Sequence, residues 1–171
     1  MRSEVKIIEW PSKPCMMGID EAGRGPVLGP MVYGCLYCPL SYKETLSTLE
    51  FADSKTLKEE KREELFENLK VDEEIGWAVD VINPGELSAK MLKKNKINLN
   101  EISHESAMGL VKRVLDMGYL LTELIFDFRT DGLLMLILST LIQGNSFYIG
   151  VCRLMLVFSL ALCPLNMNPN F

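Results

Sequence analysis

Runs of apolar residues, bounded by turn-forming or charged residues, predict four β-strands in the first part of the chain. Their short lengths and their content of Val, Ile, Leu and Tyr are typical of strands. The predicted strands cover residues 15–20, 30–38, 75–82 and 120–126. The first run ends at two neighbouring acids, Asp20 and Glu21, and the third ends at an Asn-Pro-Gly turn.

Two stretches between these runs have the residue pattern of amphipathic helices. Residues 56–59, Thr-Leu-Lys-Glu, have the form of a capping box and are predicted to open a charged helix. A second helix is predicted over residues 102–117, because its apolar residues recur on one face and Gly118 follows as a helix end. The strands and helices together predict a folded domain that uses most of the first 126 residues.

The distribution of charge divides the chain near residue 131. All 23 acidic residues and 17 of the 18 lysines and arginines lie in residues 1–131, which therefore carry a net charge of −6. Arg153 is the one charged side chain in residues 132–171. We therefore predict a domain over residues 1–131 and a hydrophobic tail over 132–171. We interpret the tail as a segment that does not belong to the domain. It is misspliced, frame-shifted or disordered.

A membrane anchor is the alternative interpretation of this tail. Residues 147–163 contain nine Leu, Ile, Val or Phe residues, which together favour insertion by about 3–5 kcal/mol. Arg153 lies within the segment and opposes insertion by about 2.5–3.5 kcal/mol. Seventeen residues are also the lower limit for a membrane span. We therefore do not expect the chain to bind a membrane.

The negative net charge of the chain argues against a broad electrostatic surface for nucleic acid, since nucleic-acid-binding domains are usually basic. Binding to nucleic acid would depend on local cations such as Arg24 and Lys55. The charged N-terminus lacks the apolar core of a secretory signal, and five cysteines then suggest free thiols in a reducing, intracellular compartment. Cys35 and Cys38 lie three positions apart in a predicted strand, so their side chains point to opposite faces and predict no joint redox or zinc site.

Asp20 and Glu21, followed by Gly23, Arg24 and Gly25, form the most informative candidate site in the sequence. Neighbouring carboxylates repel each other, and a divalent cation between them removes that repulsion. Mg²⁺ prefers oxygen ligands of this kind. Glycines let a backbone approach a ligand closely, and an arginine suits phosphate. The segment predicts a metal-and-phosphate site, with a solvated surface turn as the alternative.

Residues 18–30, Gly-Ile-Asp-Glu-Ala-Gly-Arg-Gly-Pro-Val-Leu-Gly-Pro, resemble the signature of type 2 ribonuclease H in the form of the eukaryotic catalytic subunit. The similarity continues at residues 52–57, 89–100 and 103–107, and it covers about residues 14–123. The resemblance implies an α/β fold with a ribonuclease-H-like mixed sheet flanked by helices. Because nothing after Asp131 matches the family, the resemblance also predicts that this fold is truncated at its C-terminal end.

The resemblance implies an endoribonuclease that hydrolyses RNA in RNA–DNA hybrids, and 5′ of ribonucleotides embedded in duplex DNA, by two-metal-ion catalysis. The implied ligands of Mg²⁺ or Mn²⁺ are Asp20, Glu21 and Asp127. The residues implied to bind substrate are Gly23, Arg24 and Gly25, at the ribose 2′-hydroxyl, and Lys55, at a phosphate. The family also implies a nuclear location and accessory subunits of a heterotrimeric complex.

Two departures from the family pattern leave the activity of this chain open. The residues after Asp127 differ from the family's, so Asp127 is either the homologous acid or a coincidental one. The fourth acid that the family uses has no counterpart after Asp131. We therefore expect weak or absent catalysis. The alternatives are a non-catalytic form that acts only by binding, and a membrane-anchored fragment.

Overall fold

A six-stranded sheet forms the centre of the computed structural model, which describes residues 2–6, 13–23, 29–48, 58–92, 97–126 and 146–149. The strands are β1 Arg2–Lys6, β2 Pro14–Ala22, β3 Met31–Pro39, β4 Gly76–Ile82, β5 Leu120–Phe126 and β6 Ser146–Ile149. The helices are α1 Lys43–Thr48, α2 Glu59–Val71, α3 Pro84–Met91 and α4 Leu99–Asp116, with a short 3₁₀ turn at Leu40–Tyr42.

Strand β2 lies in the interior of the sheet, whose spatial order is β1-β4-β3-β2-β5-β6. It pairs with β3 in antiparallel and with β5 in parallel orientation. The pairs β1–β4 and β3–β4 are antiparallel, and β5–β6 is parallel. The sheet is therefore mixed, which confirms the predicted architecture.

Helices cover both faces of this sheet, as the burial of β3 shows. Every residue of β3 is buried, which is typical of a strand that is covered on both sides. Tyr33 and Cys35 of β3 belong to the hydrophobic cluster that contains Leu110 of α4. Val32 belongs to the other cluster, with Leu69 of α2. Because alternate residues of a strand point to opposite faces, α4 and α2 lie on opposite sides of the sheet.

The helix boundaries follow from local capping residues, and they differ from the predicted ones. Helix α4 begins three residues before the predicted start, because Asn98 and Glu101 form a reciprocal capping box there. Gly118, with φ of 90°, follows the helix as predicted. The capping box predicted at residues 56–59 is wrong, since Lys58 is the N-cap residue of α2 and Glu59 is its first helical residue.

Several elements were not predicted from the sequence. Strand β1 is short and mostly polar, so its apolar pattern was too weak to detect. Helix α3 begins with Pro84 as its first residue and Asn83 as its N-cap. Proline at that position is as typical of a helix start as of a turn, and only the turn was predicted.

Strand β6 lies within the tail that was predicted to be foreign to the domain. It pairs with β5 from Glu123↔Ser146 to Phe126↔Ile149, so the sheet gains a strand beyond β5 that the sequence did not predict. The rest of residues 127–171 lies outside the described ranges. Among the helices that the structure describes, none combines the length and the apolar character needed to cross a membrane.

Two glycine substitutions test the packing of this sheet. A Cβ atom at Gly76 would overlap the ring of Tyr37, which is fully buried and packs against Tyr119 with ring centroids 4.9 Å apart. We predict that Gly76→Ala lowers the free energy of unfolding by about 1–3 kcal/mol, as overpacking does.

The control is Gly85→Ala in the first turn of α3, where an added Cβ would meet nothing within 4 Å. It should leave stability unchanged or raise it by up to about 1 kcal/mol, because glycine is the less favourable helix residue. Urea unfolding of both variants measures the difference. Equal stability of the two variants would contradict the packing around Gly76.

Candidate functional site

Asp20 and Glu21 lie inside strand β2, near its carboxyl end. The predicted end of this strand at Asp20 is wrong, because the pairing with β3 continues to Ala22↔Val32. Adjacent residues of a regular strand point to opposite faces of the sheet. The two carboxylates therefore leave the strand in different directions and are not a pair on one face.

Glu21 points to the face of the sheet that is covered by α4. Its partner across the β2–β3 pair is Tyr33, whose partner on β4 is Asp80. These three residues form a lateral row on one face of three neighbouring strands. Glu21 is half-buried, whereas Tyr33 and Asp80 are buried.

Asp20 points to the opposite face and is buried, with 5% of its surface exposed. Its cross-strand partner on β3 is Gly34, which has no side chain. Asp20 Oδ1 accepts a hydrogen bond of 2.7 Å from the backbone N–H of Glu21. One oxygen of each carboxylate, Asp20 Oδ2 and Glu21 Oε2, is shielded from solvent. A cation that reaches these oxygens would be partly desolvated.

Strand β5 ends at the same edge of the sheet as β2, because the two strands are parallel. The last residue of β5, Phe126, pairs with Ile19, the residue before Asp20. Asp127 follows Phe126 in the sequence but lies outside the described residues.

The donor chemistry of the acid pair fits a hard divalent cation. Carboxylate oxygens are the ligands that Mg²⁺ prefers, with water completing its coordination. Within the described ranges, however, no three His, Cys, Asp or Glu side chains lie close enough together to hold a metal ion. Asp20 and Glu21 therefore supply two suitable donors, and a third protein ligand would have to come from the remaining residues.

Gly23 occupies the base of the loop between β2 and β3. Its φ of 78° is one that residues with a side chain rarely adopt, and an added Cβ would lie 2.5 Å from the carbonyl oxygen of Pro30. The two ends of the loop therefore approach each other closely at a position that requires glycine. Arg24 and Gly25, which follow in this loop, and Lys55, which precedes α2, lie outside the described residues.

A buried polar cluster between the sheet and α4 was not predicted from the sequence. The Tyr33 hydroxyl donates to Ser103 Oγ at 2.7 Å, and Ser106 Oγ donates to Asp80 Oδ2 at 2.5 Å. All four residues are less than 5% exposed. Asp80 gave one signal in the sequence, as the sole acid inside the apolar run at residues 75–82. The two serines gave none, because their partners are distant in sequence.

Cys35 has the properties of a buried structural thiol. It is fully buried in the cluster that packs against α4. Burial raises the pKa of its thiol to about 12, so the sulfur stays protonated at neutral pH. The reactive thiolate form is therefore suppressed at this position.

Comparison with known proteins shows the family to which the chain belongs. The sequence model of the family described as Ribonuclease HII matches residues 17–143, so the match continues past Asp131, where the resemblance was expected to end. A ribonuclease H2 subunit of Arabidopsis thaliana is 75% identical over 127 residues, which cover 74% of this chain and 43% of that protein. The corresponding ribonuclease H2 subunit of Homo sapiens is 50% identical over 115 residues, which cover 67% of this chain and 38% of that protein. The chain thus spans about two fifths of the length of these curated relatives.

Solved structures share the fold at lower sequence identity. Ribonuclease H2 from Pyrococcus horikoshii OT3 has a TM-score of 0.69 at 20% identity, over 90% of this chain and 74% of that one. Bst-RNase HIII, solved in complex with Mn²⁺, has a TM-score of 0.71 at 15% identity, over 91% of this chain and 53% of that one. The ribonuclease-H-like fold is confirmed, and the family match over most of its length shows that this chain belongs to the Ribonuclease HII family.

The two ends of the β2–β3 loop offer a matched test of its geometry. We predict that Gly23→Ala lowers the free energy of unfolding by about 1–3 kcal/mol, because alanine at positive φ is strained and its Cβ would meet Pro30. Gly29→Ala, at the other end of the loop, would meet nothing within 4 Å and should change stability by less than about 0.5 kcal/mol. Urea unfolding measures both values, and a Gly23→Ala variant as stable as Gly29→Ala would contradict the close approach of Gly23 to Pro30.

Proposed function

We propose that this chain carries the metal-binding half of an endoribonuclease active site. In this proposal the family's reaction is hydrolysis of RNA in RNA–DNA hybrids, and cleavage 5′ of single ribonucleotides embedded in duplex DNA. The observation that carries the proposal is the position of Asp20 and Glu21 at the carboxyl end of an interior strand, with one oxygen of each shielded from solvent. The similarity to subunits of ribonuclease H2 from plant and mammal supports it.

Asp20, Glu21 and Asp127 are the proposed ligands of Mg²⁺ or Mn²⁺. Asp127 is included because it directly follows Phe126, whose partner Ile19 directly precedes Asp20. Divalent ions bound there would polarise the scissile phosphate and lower the pKa of a bound water. The solved structure of Bst-RNase HIII with Mn²⁺ supports a divalent metal for this fold, and the donor set does not decide between the two ions.

The remaining candidate residues are proposed to position the nucleic acid. The close approach of Gly23 to Pro30 sets the start of the loop that carries Arg24 and Gly25. Exposed backbone in a Gly-Arg-Gly turn is suited to close contact with a ribose 2′-hydroxyl, the group by which proteins distinguish RNA from DNA. Arg24 and Lys55 would donate hydrogen bonds to phosphate oxygens.

Binding without cleavage is the second candidate function. Two of the proposed ligands, Asp20 and Glu21, lie in the described residues, where no group of three potential ligands is found, and the sequence after Asp131 contains no acid. A site with one ligand missing holds its metal ions less well, and a displacement of 1 Å can reduce a rate by about a hundredfold. The first candidate function therefore predicts slow cleavage by this chain, and the second predicts binding of metal and hybrid with no cleavage.

We further propose that residues 1–131 contain all of the site residues, and that residues 132–171 contribute none. Accessory subunits and a nuclear location are also part of the proposal. Accessory subunits are supported because the relatives are named as one subunit of an enzyme. The nuclear location is supported because these relatives come from eukaryotes.

Mn²⁺ binding to the full-length protein tests the metal site. We predict that the wild-type chain binds Mn²⁺ and that Asp20→Asn loses this binding, because the buried ligand is removed. The control is Asp116→Asn at the exposed end of α4, which makes the same chemical change without altering the site. Titration followed by electron paramagnetic resonance measures free Mn²⁺. Equal binding by wild type and Asp20→Asn would remove the metal role from Asp20.

Cleavage of a duplex with one embedded ribonucleotide separates the two candidate functions. We predict slow cleavage by the wild-type chain in Mg²⁺ and none by Asp20→Asn, with products ending in a 3′-hydroxyl and a 5′-phosphate. Binding of the duplex without any cleavage would favour the second candidate. Cleavage that persists in Asp20→Asn would overturn the proposed site.

A further inference from the structure

Tyr33 links α4 to the position on β3 that lies opposite Glu21. It is fully buried, and it lies between Glu21 and Asp80 in the lateral row on the α4 face of the sheet. Side chains directly opposite each other on antiparallel strands have Cβ atoms about 4.5–5.5 Å apart. The ring of Tyr33 therefore borders the side chain of Glu21 on that face.

A directed chain of hydrogen bonds fixes the Tyr33 ring from the side of the helix. The Tyr33 hydroxyl donates to Ser103 Oγ at 2.7 Å, and Ser103 Oγ donates to the carbonyl oxygen of Leu99 at 2.9 Å. Ser103 is 1% exposed, so water does not compete for these bonds. Leu99 is the first residue of α4, directly after the N-cap residue. The capped start of α4 thus determines where the Tyr33 hydroxyl lies.

We propose that Tyr33, held by Ser103, is a positioning residue for Glu21. Its ring limits the rotamers of the Glu21 side chain, so that the carboxylate stays at the end of β2 where the metal is proposed to bind. The proposal depends on the proposed function at one point, which is the role of Glu21 as a metal ligand. The position of the Glu21 carboxylate in the metal-free protein can be measured independently of that role.

The neighbouring serine provides a matched control on the same helix. Ser106 lies three residues after Ser103, is equally buried, and donates to Asp80 Oδ2 at 2.5 Å. This bond joins α4 to β4, one strand farther from Glu21 than Tyr33 is. Ser106→Ala therefore removes the same group from the same helix face and also loosens α4, but it leaves the Tyr33–Ser103 bond in place.

Carboxyl ¹³C spectra of the metal-free, full-length protein with labelled glutamate test the proposal. The signal of Glu21 is assigned by its loss in Glu21→Gln. We expect this signal to move in Ser103→Ala and in Tyr33→Phe, and to stay unchanged in Ser106→Ala. Tyr33→Phe gives the same readout if Ser103→Ala fails to fold. An unmoved signal in the folded variant, or an equal movement in Ser106→Ala, would overturn the proposal.

The affinity for Mn²⁺ provides the second measurement. Loss of a residue that orients a metal ligand typically weakens metal binding by about 10–100-fold, so we expect Ser103→Ala to raise the Kd about tenfold and Ser106→Ala to leave it unchanged. If the wild-type chain binds no Mn²⁺, the proposed function fails, while the Glu21 signal still decides whether Tyr33 positions it. A displaced signal with an unchanged Kd would contradict the positioning role at the metal site.

Discussion

The pairing of β2 on both of its edges is the constraint on which the rest of the structure depends. Strand β2 has β3 on one side and β5 on the other, so its backbone N–H and C=O groups form hydrogen bonds within the sheet on both edges. Its residues from Cys15 to Asp20 are buried. Polar side chains are costly in such a strand, because a charged group loses its water there. Asp20 and Glu21 occur at the carboxyl end of β2, directly after Ile19, whose partner on β5 is Phe126. The location of the proposed metal site thus follows from the sheet topology.

The alternation of side chains along β2 gives the two acids different surroundings. Asp20 lies beside Gly34, whose own partner on β4 is Val79. Glu21 lies beside Tyr33, in a row that continues to a buried acid and is tied to α4 by two serine hydroxyls. Glu21 therefore has an aromatic neighbour on β3, whereas the β3 neighbour of Asp20 has no side chain. In our account Asp20 is the more deeply buried ligand and Glu21 the one whose direction is set by its neighbours.

Much of this arrangement was predictable from local sequence, and the rest depended on contacts between distant residues. The strands at residues 31–39, 76–82 and 120–126 were predicted to within one residue, because each is rich in apolar residues. The metal site at Asp20 and Glu21 stays a prediction, and its premise of two carboxylates side by side is wrong, because neighbouring residues of β2 point to opposite faces. The extension of β2 to Ala22 was not predicted, since it depends on the pairing of Ala22 with Val32 across a loop. The Tyr33–Ser103 bond joins residues 70 positions apart, and no local pattern signals such a contact.

The central claim is that the carboxyl ends of β2 and β5 share one metal site, and a crystal structure with Mn²⁺ tests it most directly. Anomalous scattering at a wavelength chosen for manganese locates the ion independently of the protein atoms. The account predicts a manganese peak in contact with the carboxylate of Asp20 and within reach of Glu21 and Asp127. A peak that contacts neither Asp20 nor Glu21, in crystals that contain bound Mn²⁺ elsewhere, would contradict it.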